Sequence, residues 1–128
     1  DELRRAIAYL QGKGPLMLAG KSFGARVSTY VAAGRDDVRA LVFFGLPLHA
    51  PGKPLGSRNW SHMAEVTGQM LFITGDRDGF CPPDDLAEVQ RLVTAPFSSE
   101  VVPGDHSFKP RGEERAIEIA GTWLSQEF

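Results

Sequence analysis

Leu16-Met17-Leu18-Ala19-Gly20-Lys21-Ser22-Phe23-Gly24 decides how this 128-residue chain is read. The apolar run from Leu16 to Ala19 is too short for a helix between Pro15 and Gly20, and it reads as a strand buried on both faces. A helix is expected from about Phe23 to Ala33, with Gly34 as its C-terminal stop. The G-x-S-x-G pattern therefore falls on a strand-to-helix turn. Such a turn lifts the serine oxygen clear of the sheet, and Gly20 and Gly24 are expected where a side chain would collide with strand or helix. The helix start supplies unpaired N–H groups, which makes the amide of Phe23 a candidate oxyanion donor. The competing reading is that Ser22 only caps the helix, a role serine favours.

Working outward, Leu3, Ala6, Ile7 and Leu10 recur at helical spacing, and Gly12 with Gly14-Pro15 closes that segment. Val38 to Phe44 and Met70 to Thr74 read as two further buried strands. Pro82-Pro83-Asp84-Asp85 opens a helix with Leu86, Val89, Leu92 and Val93 on one face, ending near Thr94. Glu100-Val101-Val102 reads as a short fourth strand, and Ile117, Ala120 and Leu124 form the apolar stripe of a terminal helix. The order α-β-α-β-loop-β-α-β-α implies an α/β fold, an open, mostly parallel sheet with right-handed crossovers and flanking helices. A chain of this length supports one core, so residues 1–128 are expected to form a single domain. Residues 46–66 break the pattern of short connections, with Pro47, Pro51, Pro54, Gly52 and Gly56. Loops this long are often lids, and Leu48, Leu55, Trp60 and Met63 are placed to roof an apolar pocket. An ordinary excursion with a short helix around Ser61 to Val66 fits equally well.

A serine hydroxyl needs a base to remove its proton and an acid to orient that base. The third strand runs into Gly75-Asp76-Arg77-Asp78 and the fourth into Pro103-Gly104-Asp105-His106-Ser107-Phe108. Both loops leave the C-terminal edge, where open parallel sheets build their sites. Of the two acids Asp78 lies farther into its loop and can reach His106, whereas Asp76 is expected to bond loop amides. Turn formation is the alternative for either. Lys21, His49, Leu48 and Trp60 are the candidate substrate-binding residues, and His62 reads as a surface or lid residue. Cys81 precedes a helix start and could be activated there, although an inert, partly buried thiol is the plainer reading. Gly20-Lys21-Ser22 also looks like the end of a phosphate-binding loop. That motif needs a glycine five positions before Gly20, where Pro15 stands, and a flexible cradle where Leu16 to Ala19 reads as strand.

The charge balance, 14 basic against 16 acidic side chains for a net −2, carries no basic run, so nucleic acid and anionic membrane are excluded as expected partners. No apolar run approaches the roughly 20 residues that span a bilayer, and no signal-peptide pattern is present. A single cysteine offers neither an internal disulfide nor a clustered thiolate site, and a cytoplasmic location is expected. The chain begins with Asp1, from which a removed natural start is expected.

At these residues the chain resembles the α/β-hydrolase superfamily. More narrowly, it is similar to a dienelactone-hydrolase-like group of small hydrolases that includes testis-expressed relatives and a subunit of a histone acetyltransferase complex. The likeness runs through Leu18-Ala19-Gly20-Lys21-Ser22-Phe23-Gly24-Ala25-Arg26, Gly45-Leu46-Pro47-Leu48-His49-Ala50-Pro51-Gly52-Lys53-Pro54, Gly75-Asp76-Arg77-Asp78 and Gly104-Asp105-His106-Ser107-Phe108. The proline-rich block is the most specific of these. The resemblance implies Ser22 as nucleophile, Asp78 as acid and His106 as base, in the chain order that fold uses. It implies a serine hydrolase acting on an ester, thioester or lactone, a small-molecule acyl substrate, and no metal or organic cofactor. The alternative is a non-catalytic interaction module on the same fold, the role of the complex subunit. Such hydrolases carry two or more strands before the nucleophile strand, and a loop after one of them gives a second oxyanion donor. Here one helix precedes it, so the domain is expected to be N-terminally incomplete. A homo-oligomer or an upstream chain would complete the sheet.

Overall fold

The computed structural model describes residues 2–10 and 14–128, so the expected stop at Gly12 lies outside the described residues, as do the side chains of Ile7 and Leu10. The elements are α1 (Glu2–Leu10), β1 (Leu16–Lys21), α2 (Phe23–Ala32), β2 (Val38–Phe44), β3 (Gln69–Gly75), α3 (Pro83–Gln90), β4 (Phe97–Val102) and α4 (Glu113–Glu127). Two short 3₁₀ turns, Leu55–Ser57 and Ser61–Glu65, lie between β2 and β3. The fold is α/β, a four-stranded parallel sheet in the order β1-β2-β3-β4 with flanking helices. Among the described residues no helix is long and apolar enough to cross a membrane.

The two central strands are apolar on both faces, and each face makes its own core. Leu41, Phe43 and Phe72 pack with Ala25 and Ala32 of α2 and with Leu86 and Val89 of α3. On the opposite face Ala40, Val42, Leu71 and Ile73 pack against Ala116, Ala120 and Trp123 of α4. Full burial of a large apolar side chain contributes roughly 1.5–3 kcal/mol relative to exposure, so these layers dominate the stability of the fold.

Several sequence expectations are corrected. The β1 strand is not buried on both faces: Leu16 is buried on the α2 side, but Met17 is 51% exposed, and Ala19 and Lys21 are exposed too. The cause is position, since β1 is an edge strand and α4 covers only the strands beyond it. The stripe of α4 is Ala116, Ala120 and Trp123, one residue round from the expected one, and Ile117 is 66% exposed. The α3 helix ends at Gln90, before Leu92, which is exposed. The β4 strand starts three residues earlier than its apolar run, because Phe97-Ser98-Ser99 pair with Met70, Leu71 and Phe72 in the ladder on an edge, where the two serines bring no apolar signal.

The segment 46–66 is folded onto the body of the protein. Leu48, Trp60 and Met63 belong to the core, and Trp60 Nε1 donates to the Leu48 carbonyl at 3.0 Å. Leu48 and Met63 therefore pack inward, whereas Trp60, although buried, lines with Leu55 a cavity of about 350 Å³ beside Glu88 and Val89 of α3. The short turn Ser61–Glu65 sits where the alternative reading put one.

Candidate active site

Strand register brings the chemistry together. Lys21 pairs with Phe44, Phe44 with Ile73, and Gly75 with Val102, so the four strands end level on one edge. The residues that follow keep the ladder going: Ser22 N–H donates to the Phe44 carbonyl at 2.9 Å, Gly45 to Ile73 at 2.9 Å and Asp76 to Val102 at 2.8 Å.

At the β1–α2 turn Ser22 has φ 53° and ψ −119°, a left-handed backbone that L residues with a side chain rarely adopt. Its side chain makes no capping bond to the helix. Instead Ser22 Oγ lies 2.7 Å from His106 Nε2. Gly20 is required as expected, because a Cβ there would come within 2.6 Å of Ala25 N and of the Gly24 carbonyl carbon. Gly24 is not: among the described residues nothing lies within 4 Å of a Cβ at that position. The amide of Phe23 opens α2, where first-turn N–H groups have no intrahelical acceptor, and its side chain is 69% exposed.

The imidazole of His106 is held from both ends. Its Nδ1 lies 2.8 Å from Asp78 Oδ2, and the Asp78 side chain is fully buried. The second oxygen of Asp78 accepts the Phe80 amide at 2.9 Å, which leaves Oδ2 aimed at the ring. The Phe80 ring stacks on His106 with centroids 4.3 Å apart. From the other side Gly45, at φ 69°, lets the imidazole in; a Cβ there would stand 3.4 Å from ring atoms and 3.2 Å from the His106 carbonyl oxygen. The loop bearing His106 is shaped by Asp105, whose carboxylate accepts the amides of Ser107 and Lys109. Those amides, Lys109 first, hold its pKa below the usual carboxylate range.

Asp76, as its position indicated, bonds a loop amide: its Oδ1 accepts Gly104 N–H at 3.0 Å. Lys21 lines a cavity of about 300 Å³ with Phe44, Phe108, Glu113, Ala116 and Ile117, on the α4 side of the sheet. It continues β1, so no flexible phosphate cradle exists there. Leu48 and Trp60 are core residues, and His49 is buried against Ala50 and Asp85. His62 is half-buried, not a surface residue; it stacks on Tyr30 with centroids 3.8 Å apart and meets Thr29 Oγ1 at 2.8 Å, and burial lowers its pKa. Cys81 is buried and its thiol is pushed up to about 12, chiefly by that burial, so it is inert near neutrality. Among the described residues no group of three or more His, Cys, Asp or Glu side chains could hold a metal ion. Sequence reasoning missed Phe80, because nothing in Asp78-Gly79-Phe80-Cys81 marks an aromatic that will fold back over a histidine from another loop.

A serine on a strand-to-helix turn is thus bonded to a histidine that is itself bonded to a buried aspartate. A family model described as an alpha/beta hydrolase domain matches residues 1–120. The chain belongs to the alpha/beta hydrolase domain family. No curated protein matches it. Among solved structures it is similar to a protein of unknown function from Agrobacterium tumefaciens, provisionally described as an alpha/beta hydrolase, with a TM-score of 0.78 and 21% identity over 98% of this chain. An alpha-beta serine hydrolase homologue from Coxiella burnetii gives a TM-score of 0.67 and 23% identity over 98% of this chain. An esterase from Pyrococcus furiosus gives 0.76 and 15%, again over 98%. At such identities the likeness is one of fold. The chain covers 56%, 55% and 60% of these three proteins respectively.

Proposed function

We propose that this alpha/beta hydrolase domain carries out acyl transfer to water through Ser22, His106 and Asp78, on a small ester, thioester or lactone. The observation that carries the reading is the continuous hydrogen-bond chain from Ser22 Oγ through His106 Nε2 and Nδ1 to Asp78 Oδ2. Ser22 Oγ attacks the carbonyl carbon while its proton passes to His106 Nε2, and Asp78 stabilises the imidazolium that results. The carbonyl oxygen becomes an oxyanion beside the Phe23 amide. Collapse breaks the bond to the leaving group, which takes the proton from His106. Water, deprotonated by the same imidazole, then attacks the acyl-serine, and the proton returns to Ser22 as the acid leaves.

A fluorophosphonate probe tests this directly, since it phosphonylates only a serine whose proton can be removed. A covalent adduct on Ser22 that disappears in His106→Ala supports the proposal. A folded chain that gives no adduct favours the alternative, a non-catalytic interaction module.

A further inference from the structure

His49 stands outside the hydrogen-bond chain just described, yet its ring is buried and bonded at both nitrogens. Its Nδ1 lies 2.8 Å from the Ala50 carbonyl oxygen and its Nε2 2.7 Å from Asp85 Oδ2, with the side chain 4% exposed. Neither a carbonyl nor a carboxylate can donate a hydrogen bond. A neutral imidazole has one N–H and one bare lone pair, so in this setting it would turn that lone pair on an oxygen. The His106 ring differs, because its Nε2 faces a hydroxyl that can donate to it.

We propose that His49 is a positioning residue for Ser22, His106 and Asp78: as an imidazolium it is a cationic strut that ties the loop after β2 to the first turn of α3 and so fixes the segment carrying Asp78. The route is short. Leu48 and His49 N–H both donate to the Phe80 carbonyl, at 2.9 and 3.4 Å. Phe80 in turn donates its own N–H to Asp78 Oδ1 and lays its ring on His106. Cys81 N–H returns to the Asp78 carbonyl, and the chain then enters α3, where Asp85 holds the far end of the strut. Loss of the second proton on His49 would break one of its two bonds and free the Phe80 carbonyl's neighbours to shift.

The charged groups around the ring agree with this assignment. The Ala50 carbonyl, foremost, and the Asp85 carboxylate raise the His49 pKa, against burial and the charge of Arg58, which lower it; the net direction is upward. Arg58 approaches from the same loop and is itself anchored on the Pro47 carbonyl at 2.7 Å.

The strut depends on the serine-hydrolase reading only for its catalytic consequence, so the decisive measurement is structural. In the ¹⁵N-labelled chain, long-range correlations of the imidazole nitrogens of His49 and His106 are followed through the imidazole titration range. The expected result is a proton on both His49 nitrogens at neutral pH, and a second inflection in the His106 signals that coincides with the loss of one of them. In Asp85→Asn, at a partly exposed position, both inflections should move together to lower pH, and the alkaline limb of kcat/KM should move by the same interval. A single protonated His49 nitrogen at neutral pH overturns the proposal, as does a His106 titration indifferent to Asp85→Asn in a folded chain. If the coupled inflections appear and no fluorophosphonate adduct forms, the strut stands and the hydrolase reading falls.

Discussion

Asp78 meets His106 across two loops that leave neighbouring strands, with Oδ2 standing 2.8 Å from Nδ1. Two hydrogen bonds, one between backbones and one to a side chain, tie the loops just behind the pair. Arg77 N–H donates to the Gly104 carbonyl at 2.8 Å, and Gly104 N–H donates to Asp76 at 3.0 Å. The acid loop and the base loop are thus stitched together one step from the chemistry.

Asp78→Asn should keep the bond to the Phe80 amide through its remaining oxygen while presenting His106 Nδ1 with a neutral partner that no longer fixes the tautomer. A fall of about 10⁴ in the rate of ester turnover is expected, as in other triads. Fluorophosphonate labelling followed over time, alongside a melting curve, checks it; wild-type labelling in the variant would contradict the role given to Asp78.

Asp76 should matter for stability in a way that depends on oxygen, not charge. In Asp76→Ala the buried Gly104 amide loses its acceptor, which costs about 1–3 kcal/mol. Asp76→Asn retains an acceptor and should lie much closer to the parent. Urea unfolding of both variants decides between this and a role for the negative charge.

Leu48→Ala removes a side chain with no exposure from a packed core, and a loss of about 2–5 kcal/mol is expected. If Leu48 instead contacted substrate, the main effect would be a raised KM with little change in the unfolding midpoint. Denaturation and steady-state kinetics on the same preparation separate the two.

The His49 charge also shapes stability against pH. Its folded-state pKa lies above the ordinary imidazole value, mainly through the Ala50 carbonyl and then Asp85. The folded protein therefore binds this proton more tightly than the unfolded chain does. The stabilisation is fully present below the unfolded value and is lost as pH rises through the folded one. Urea midpoints should decline over that alkaline interval, and Asp85→Asn should shrink the decline.

Much of this was legible beforehand, for identifiable reasons. Apolar runs bounded by Gly and Pro located β1, β2 and β3, and the serine, aspartate and histidine each followed a strand, so a parallel sheet had to bring them to one edge. The first half of β4 is not legible, because Phe97-Ser98-Ser99 joins the ladder on an edge, where two serines carry no apolar signal. Periodicity alone does not fix the α4 stripe to within one residue, and it is Trp123, not Ile117, that packs with Leu71 and Ile73. A long proline-rich segment reads as a lid whichever way its side chains point, and only the packing beneath it separates Leu48, which is core, from Trp60, which also lines a cavity. Phe80 on His106 joins two separate loops and His49 on Asp85 joins a loop to the first turn of α3, and no local pattern encodes either contact.

The left-handed backbone of Ser22 has an evolutionary side. Conformations of this kind cost on the order of 1–3 kcal/mol in a residue other than glycine. Glycine at 22 would relax the turn and remove the hydroxyl in the same step. Heritable pressure for heat endurance and pressure for turnover thus pull this one codon in opposite directions, and a lineage relieved of its chemical duty would be free to drift toward the tougher, silent form.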